Sequence, residues 1–136
     1  MKAPDTSVLI AGFDSSHSFH EPAQEALSSV RRRGRVIAHT LAETFAVLTA
    51  VGPYEVPPAR VNQYLERFLD HAPIGLAPAG YPEAIAELGR NGISGGAVYD
   101  GLIALAARDA KATLVSLDRR ASATYRRLGV KLELLL

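Results

Sequence analysis

Cysteine is absent from all 136 residues, so neither a disulfide nor a thiolate zinc centre is available. That absence suits the cytoplasm, where thiols stay reduced. No uncharged run approaches the roughly 18 residues a membrane helix needs, so no association with a membrane is expected. Asp5 stands where the apolar region of a signal peptide would have to lie, which argues against secretion. Repeats, low-complexity tracts and linkers are also missing, so residues 1–136 read as one domain with one core. There is no glycine-rich phosphate loop: Gly92–Gly96 is not followed by Lys and Ser or Thr. The four histidines, His17, His20, His39 and His71, show no paired metal-ligand spacing and read as surface or capping residues.

Charge is present, but nearly balanced. The net charge is +1, with fifteen basic residues against fourteen acidic ones. The basic residues are mostly Arg and fall in clusters: Arg31, Arg32 and Arg33 with Arg35, then Arg119 and Arg120, then Arg126 and Arg127. Arg suits bidentate contacts to phosphate better than Lys does. A basic rim around an acidic centre would hold a polyanion, and Arg31, Arg32, Arg33, Arg119 and Arg120 are the candidate residues for binding its phosphates. The competing reading is solvated Arg at helix ends, favoured by the macrodipole.

Short β-branched runs alternate with longer helical ones, so the sequence predicts an α/β fold with a mostly parallel sheet covered on both faces. A first strand ends at Asp5 and a helix follows over Val8–Phe13. His20–Arg33 forms an amphipathic helix with Ala23, Ala26, Leu27 and Val30 on one face, stopped by Gly34. Val36–His39 reads as a strand and Leu41–Val51 as a helix. Pro57 and Pro58 open a helix running to Asp70, with Val61, Tyr64, Leu65, Phe68 and Leu69 on its buried face. Ile74–Ala77 is a weak strand, Tyr81–Arg90 a helix, Asn91–Gly96 a turn and Ala97–Asp109 a buried helix. Thr113–Leu117, Arg119–Leu128 and Val130–Leu134 complete the pattern as strand, helix and strand. Pro4 donates no ladder hydrogen bond, so it requires an edge or a strand end.

Four acids carry the chemistry. Asp5, Glu43, Asp100 and Asp118 each sit at a predicted strand end or helix start in apolar company. Desolvating a carboxylate is costly without a partner, and four together would repel one another. A hard divalent cation, Mg²⁺ or Mn²⁺, is the natural partner for such a set. Each acid also has a plainer reading. Asp5 and Asp118 are good N-caps, and Glu43 completes a capping box with Thr40. Asp100 is the only charged residue between Ser94 and Ala107, in a helix with no evident polar face. The hydroxyls of Thr6 and Ser116 are placed to fix carboxylate rotamers, or to make ordinary turn and cap bonds.

These motifs resemble those of the PIN-domain ribonucleases, and within them the VapC toxins of bacterial toxin–antitoxin pairs. Asp5-Thr6-Ser7-Val8-Leu9-Ile10 is similar to the family's first acidic motif, Glu43 to its second acid, Tyr99-Asp100-Gly101-Leu102-Ile103-Ala104 to its third motif and Leu114-Val115-Ser116-Leu117-Asp118-Arg119 to its fourth. Successive acids are 38, 57 and 18 residues apart, in the family's order. The resemblance implies a three-layer α/β/α sandwich and Mg²⁺- or Mn²⁺-dependent cleavage of RNA. The cation would be held by Asp5, Asp100, Asp118 and Glu43, with Glu43 either a ligand or a water-orienting group. It also implies a homodimer neutralised by a small VapB-like antitoxin.

Two other classes compete. A PIN-like fold that only binds RNA or protein would need no acids. A phosphoacceptor signalling domain also gathers acids around Mg²⁺, but it expects a pair of acids after the first strand and a late Lys at a strand end. Here Thr6 and Ser7 follow Asp5, and Lys111 precedes a strand.

Overall fold

A computed structural model describes residues 1–135. Three parallel strands, β1 (Lys2–Pro4), β2 (Thr113–Ser116) and β3 (Leu132–Leu134), form a sheet in the order β1-β2-β3. Lys2 pairs with Thr113 and Pro4 with Val115, and on the other side of β2 Leu114 pairs with Leu132. Pro4 meets both conditions that tolerate it, because β1 is an edge strand and Pro4 is its last residue. Seven α-helices are present among the described residues: α1 (Thr6–Phe13), α2 (His20–Arg33), α3 (Ala38–Thr49), α4 (Pro58–Glu66), α5 (Tyr81–Arg90), α6 (Ala97–Asp109) and α7 (Arg119–Arg127).

Side chains alternate across a strand, so β2 serves two cores. Leu114 packs with Leu88, Ile103, Leu105 and Tyr125 from α5, α6 and α7. Its neighbour Val115 packs with Leu9, Leu27, Leu48 and Val61 from α1 to α4. The sheet is thus the middle of three layers. Because β2, α7 and β3 form a β-α-β unit, β2 and β3 run parallel and end on the same edge.

Helices α2, α5 and α6 have the ends expected of them. The region between Val36 and Ala77 differs. Instead of two strands, Ile37 and Ile74 make one isolated parallel bridge, and α3 already begins at Ala38. Ala and Leu in the stretch after Ile37 favour continuing as helix over extending the sheet by one short strand. The helix expected to reach Asp70 ends at Glu66. Val61, Tyr64, Leu65 and Phe68 are buried, whereas Leu69 is 42% exposed and lies outside the helix face assigned to it.

Gly34 ends α2 with its N–H bonded to the Val30 carbonyl at 2.9 Å. A β-carbon there would collide with the Lys2 carbonyl oxygen and stand 2.9 Å from the Val30 Cα. Both obstacles are backbone, so neither can swing aside. Gly34→Ala is therefore expected to destabilise the fold by about 1–3 kcal/mol, read as a lower urea midpoint with an unchanged slope.

Candidate active site

Asp5 is the N-cap of α1, and it is reached from the end of β1. Its N–H bonds the Val115 carbonyl at 2.9 Å, continuing the ladder past Pro4. Its carboxylate is 2% exposed and accepts four donors. Oδ1 receives the Ser7 hydroxyl at 2.5 Å and the Val8 N–H at 3.3 Å. Oδ2 receives the Ser116 hydroxyl and the Tyr125 hydroxyl, the latter at 3.0 Å. Four donors match the capacity of an ionised carboxylate. Both serines are themselves donated to, Ser7 by the Leu117 N–H at 2.8 Å and Ser116 by the Asp118 N–H at 3.0 Å. Each hydroxyl thus relays a backbone dipole onto Asp5. Burial still dominates and raises the Asp5 pKa, with the bonds from Ser116, Ser7 and Tyr125 opposing it.

Asp118 caps α7, accepting the N–H groups of Arg120 at 2.9 Å and Ala121 at 3.1 Å. The capping readings of Asp5 and Asp118 are therefore both correct, and both caps lie at the carboxyl edge of the sheet. The capping box proposed for Glu43 does not form. Thr40 lies inside α3 and its hydroxyl donates to the Ile37 carbonyl at 2.7 Å, while Glu43 accepts from Thr6 Oγ1 at 2.7 Å. Starting α3 at Ala38 turns Thr40 into an interior residue and frees Glu43 to face α1.

Asp100 lies in the first turn of α6. Its pKa is pushed up to about 6, first by burial and then by the charges of Glu43, Asp118 and Asp5, with Arg120 opposing. Glu43, Asp118 and Asp5, each from a different element, thus all lie within electrostatic range of Asp100. Among the described residues, however, no three acid or histidine side chains close around one common ligand point. The acids gather at one end without forming a preshaped cage. The donor set is oxygen only and bears the repulsion that a cation would relieve, so in charge and in ligand type it fits a hard divalent ion.

The basic clusters divide. Arg119 and Arg120 line a groove of about 570 Å³ with Ser7, His17, Tyr54 and Asp118. Arg31, Arg32 and Arg33 occupy the exposed last turn of α2. Arg35, just beyond them, bonds the Lys2 carbonyl through its N–H at 3.2 Å, at the opposite end of β1 from Asp5. Lys111 lies in the turn before β2, at the amino edge of the sheet, the wrong end for a phosphoacceptor site.

Three contributors escaped the sequence reading. Ser7 and Tyr125 hold Asp5, and nothing local marks a tyrosine 120 residues away as its partner. His39, read as surface or cap, stands one helical turn before Glu43, with Nε2 3.9 Å from Glu43 Oε2 and its ring stacked on Tyr99. The i, i+4 spacing of His39 and Glu43 was a usable signal, hidden because Val36–His39 was read as strand.

A family model for the PIN domain matches residues 2–127. Ribonuclease VapC40 of Mycobacterium tuberculosis is 40% identical over 135 residues, covering 98% of each chain. Ribonuclease VapC27 of the same species is 37% identical over 136 residues, covering 96% of each. The structure of FitAB bound to an IR36 DNA fragment superposes with a TM-score of 0.73 at 18% identity, covering 99% of this chain and 95% of that one. The crystal structure of FitAcB from Neisseria gonorrhoeae gives a TM-score of 0.71 at 19% identity, covering 99% and 98%. At those identities the two structures share the fold.

Two outcomes follow from this geometry. Ser116→Ala removes a donor from buried Asp5 and an acceptor from the Asp118 N–H, and is expected to cost about 1–3 kcal/mol in urea unfolding. The second concerns pH. Folded Asp100 keeps its proton to about 6, against 3.8 ordinarily. Between those values the folded chain binds more protons than the unfolded one, so stability falls as pH rises. The raised Asp5 acts in the same direction. In EDTA, Asp100→Asn is expected to raise the melting temperature at pH 7 and to flatten its decline from pH 4 to 6.

Proposed function

The chain belongs to the PIN domain family, and on that premise we propose that it is a metal-dependent endoribonuclease of the VapC toxin type, with Asp5, Glu43, Asp100 and Asp118 as its catalytic carboxylates. The observation that carries the proposal is the gathering of these four acids at the carboxyl edge of a parallel sheet, with Asp100 pushed up to about 6 by burial and by the other three. The names of the VapC relatives, similar over nearly their whole lengths, support RNA as substrate.

Asp5, Asp100 and Asp118 would hold Mg²⁺ or Mn²⁺, with Glu43 as a further ligand or as acceptor of a water proton. When bound, the cation supplies Lewis acidity toward a phosphate oxygen and makes water a stronger acid. The chain's own residues do the rest. Asp5 cannot rotate, because both its oxygens are occupied by donors on three elements. Thr6 keeps Glu43 turned toward the cluster. Arg119 and Arg120 follow Asp118 directly and offer phosphate contacts along the groove. Arg31, Arg32 and Arg33 stand at the far end of β1, and they are weaker candidates for RNA within reach of the acids.

The resemblance to VapC supports two partners as well, a second copy of the chain and a small VapB-like antitoxin. A shallow apolar groove between α3 and α4, lined by Leu41, Phe45, Leu65 and Leu69, is where an antitoxin helix would dock. The rest of the α4 apolar face is taken up by the core.

Asp5→Asn and Asp100→Asn keep shape but remove charge, and each is expected to abolish Mg²⁺- or Mn²⁺-dependent cleavage of RNA. Retention of activity in either variant, or in EDTA, would overturn the mechanism. The cation needs ionised Asp100, so its affinity is expected to climb as pH rises through about 6, measured by titration calorimetry. Replacing Arg119 and Arg120 together by Ala is expected to weaken RNA binding and to lower its salt dependence by about two units of slope.

A further inference from the structure

An aromatic pair stands beside the acids and has no part in the mechanism above. Tyr99 and His39 stack with parallel rings, 1° between planes and 5.6 Å between centroids. His39 Nε2 lies 3.9 Å from Glu43 Oε2 and its ring stacks on Tyr99, so the pair stands directly beside one of the four carboxylates. Four residues of helix advance about 6 Å, a step one nucleotide spans. Tyr99 is 54% exposed, while Gly101 and Ile103 to Ala107 of the same helix are buried. Its ring lies parallel to the imidazole but offset from it, and the residue as a whole is about half exposed. His39 Nε2 makes no hydrogen bond among the described residues and faces the Glu43 carboxylate at 3.9 Å.

A rigid exposed ring, already stacked on one side, is a surface on which an unpaired base stacks at small entropic cost. A surface aromatic serving only to bolt α3 to α6 would bury its ring, as Tyr125 does. We propose that Tyr99, backed by His39, is a nucleobase platform: a base of single-stranded RNA next to the cleaved phosphate stacks on the open face of Tyr99 while the phosphate lies at the carboxylates. The inference rests on the ribonuclease reading of that site and adds to it the residue that holds a base beside the cut. Duplex RNA keeps its bases stacked on each other and cannot use the platform.

The test measures binding of a single-stranded oligoribonucleotide carrying a fluorescent adenine analogue, in Ca²⁺, by anisotropy and by quenching on stacking. Wild type and Tyr99→Phe are expected to bind alike and to quench the analogue. Tyr99→Ala and Tyr99→Leu are expected to lose the quenching and to bind about five- to a hundredfold more weakly. Tyr81→Ala, an exposed tyrosine at the far end of α5, serves as the unchanged control. Melting curves taken in parallel separate stacking from folding, since Tyr99→Leu keeps apolar bulk. Wild-type binding and quenching in Tyr99→Leu, or equal affinity for duplex RNA, would overturn the platform and leave the nuclease reading standing. If wild type neither binds nor cleaves RNA, the nuclease reading falls and the platform with it.

Discussion

One buried carboxylate organises this molecule. Asp5 lies where β1 ends and α1 begins, and its four donors come from α1, from β2 and from α7. A charge buried to 2% exposure cannot be left half-satisfied. Satisfying it requires that β2 lie beside β1 in one register and end on Ser116, and that α7 pack so that Tyr125 reaches across. Shifting β2 by one residue would send Ser116 to the other face of the sheet. The acid that is costliest to bury is also the one that specifies how four elements fit together.

The remaining acids are arranged differently. Asp118 is satisfied as a helix cap, Glu43 is bonded to Thr6, and Asp100 has burial and like charges as the main influences on it. The site thus runs from an acid saturated with hydrogen bonds to one left under electrostatic strain. That gradient suits a cation: the satisfied acids are held in place, and the strained one gains most from a positive charge. Capping and function are not rival readings here. A helix N-terminus at the carboxyl edge of a parallel strand is a place where a carboxylate is stabilised by N–H groups and still faces the crevice in which such sheets carry their sites.

The three-layer plan was legible because hydrophobic periodicity is a local property. The stripe of Ala23, Ala26, Leu27 and Val30 marks α2 whatever packs against it, and the near-continuous apolar run of α6 marks a buried helix. The failures fall where two local signals competed. Val36, Ile37 and Ala38 read as strand, yet only Ile37 pairs, with Ile74, and the chain turns helical at once. That single displacement made Thr40 look like a cap, gave Glu43 a false partner and removed His39 from the helix face it shares with Glu43. The apolar residues expected on one buried face of the helix opened by Pro57 and Pro58 are absorbed by a core built from four helices on one side of the sheet, except Leu69, which lies beyond the end of α4.

By itself the sequence determined the α/β class, the helices with clean amphipathic or apolar patterns, the four acids and the order in which they occur. These depend on composition and on spacing within about fifteen residues, where 3.6- and 2-residue periods are readable. Only the tertiary structure decided which donors reach Asp5, that Arg119 and Arg120 share the acidic end while Arg31 to Arg33 do not, and that His39 stacks on Tyr99. Ser7 and Asp5 are two residues apart, Tyr125 and Asp5 are 120 apart, and both make bonds of the same kind to the same carboxylate. No local pattern encodes the second, because it exists only once two strands have paired and a helix has packed across them.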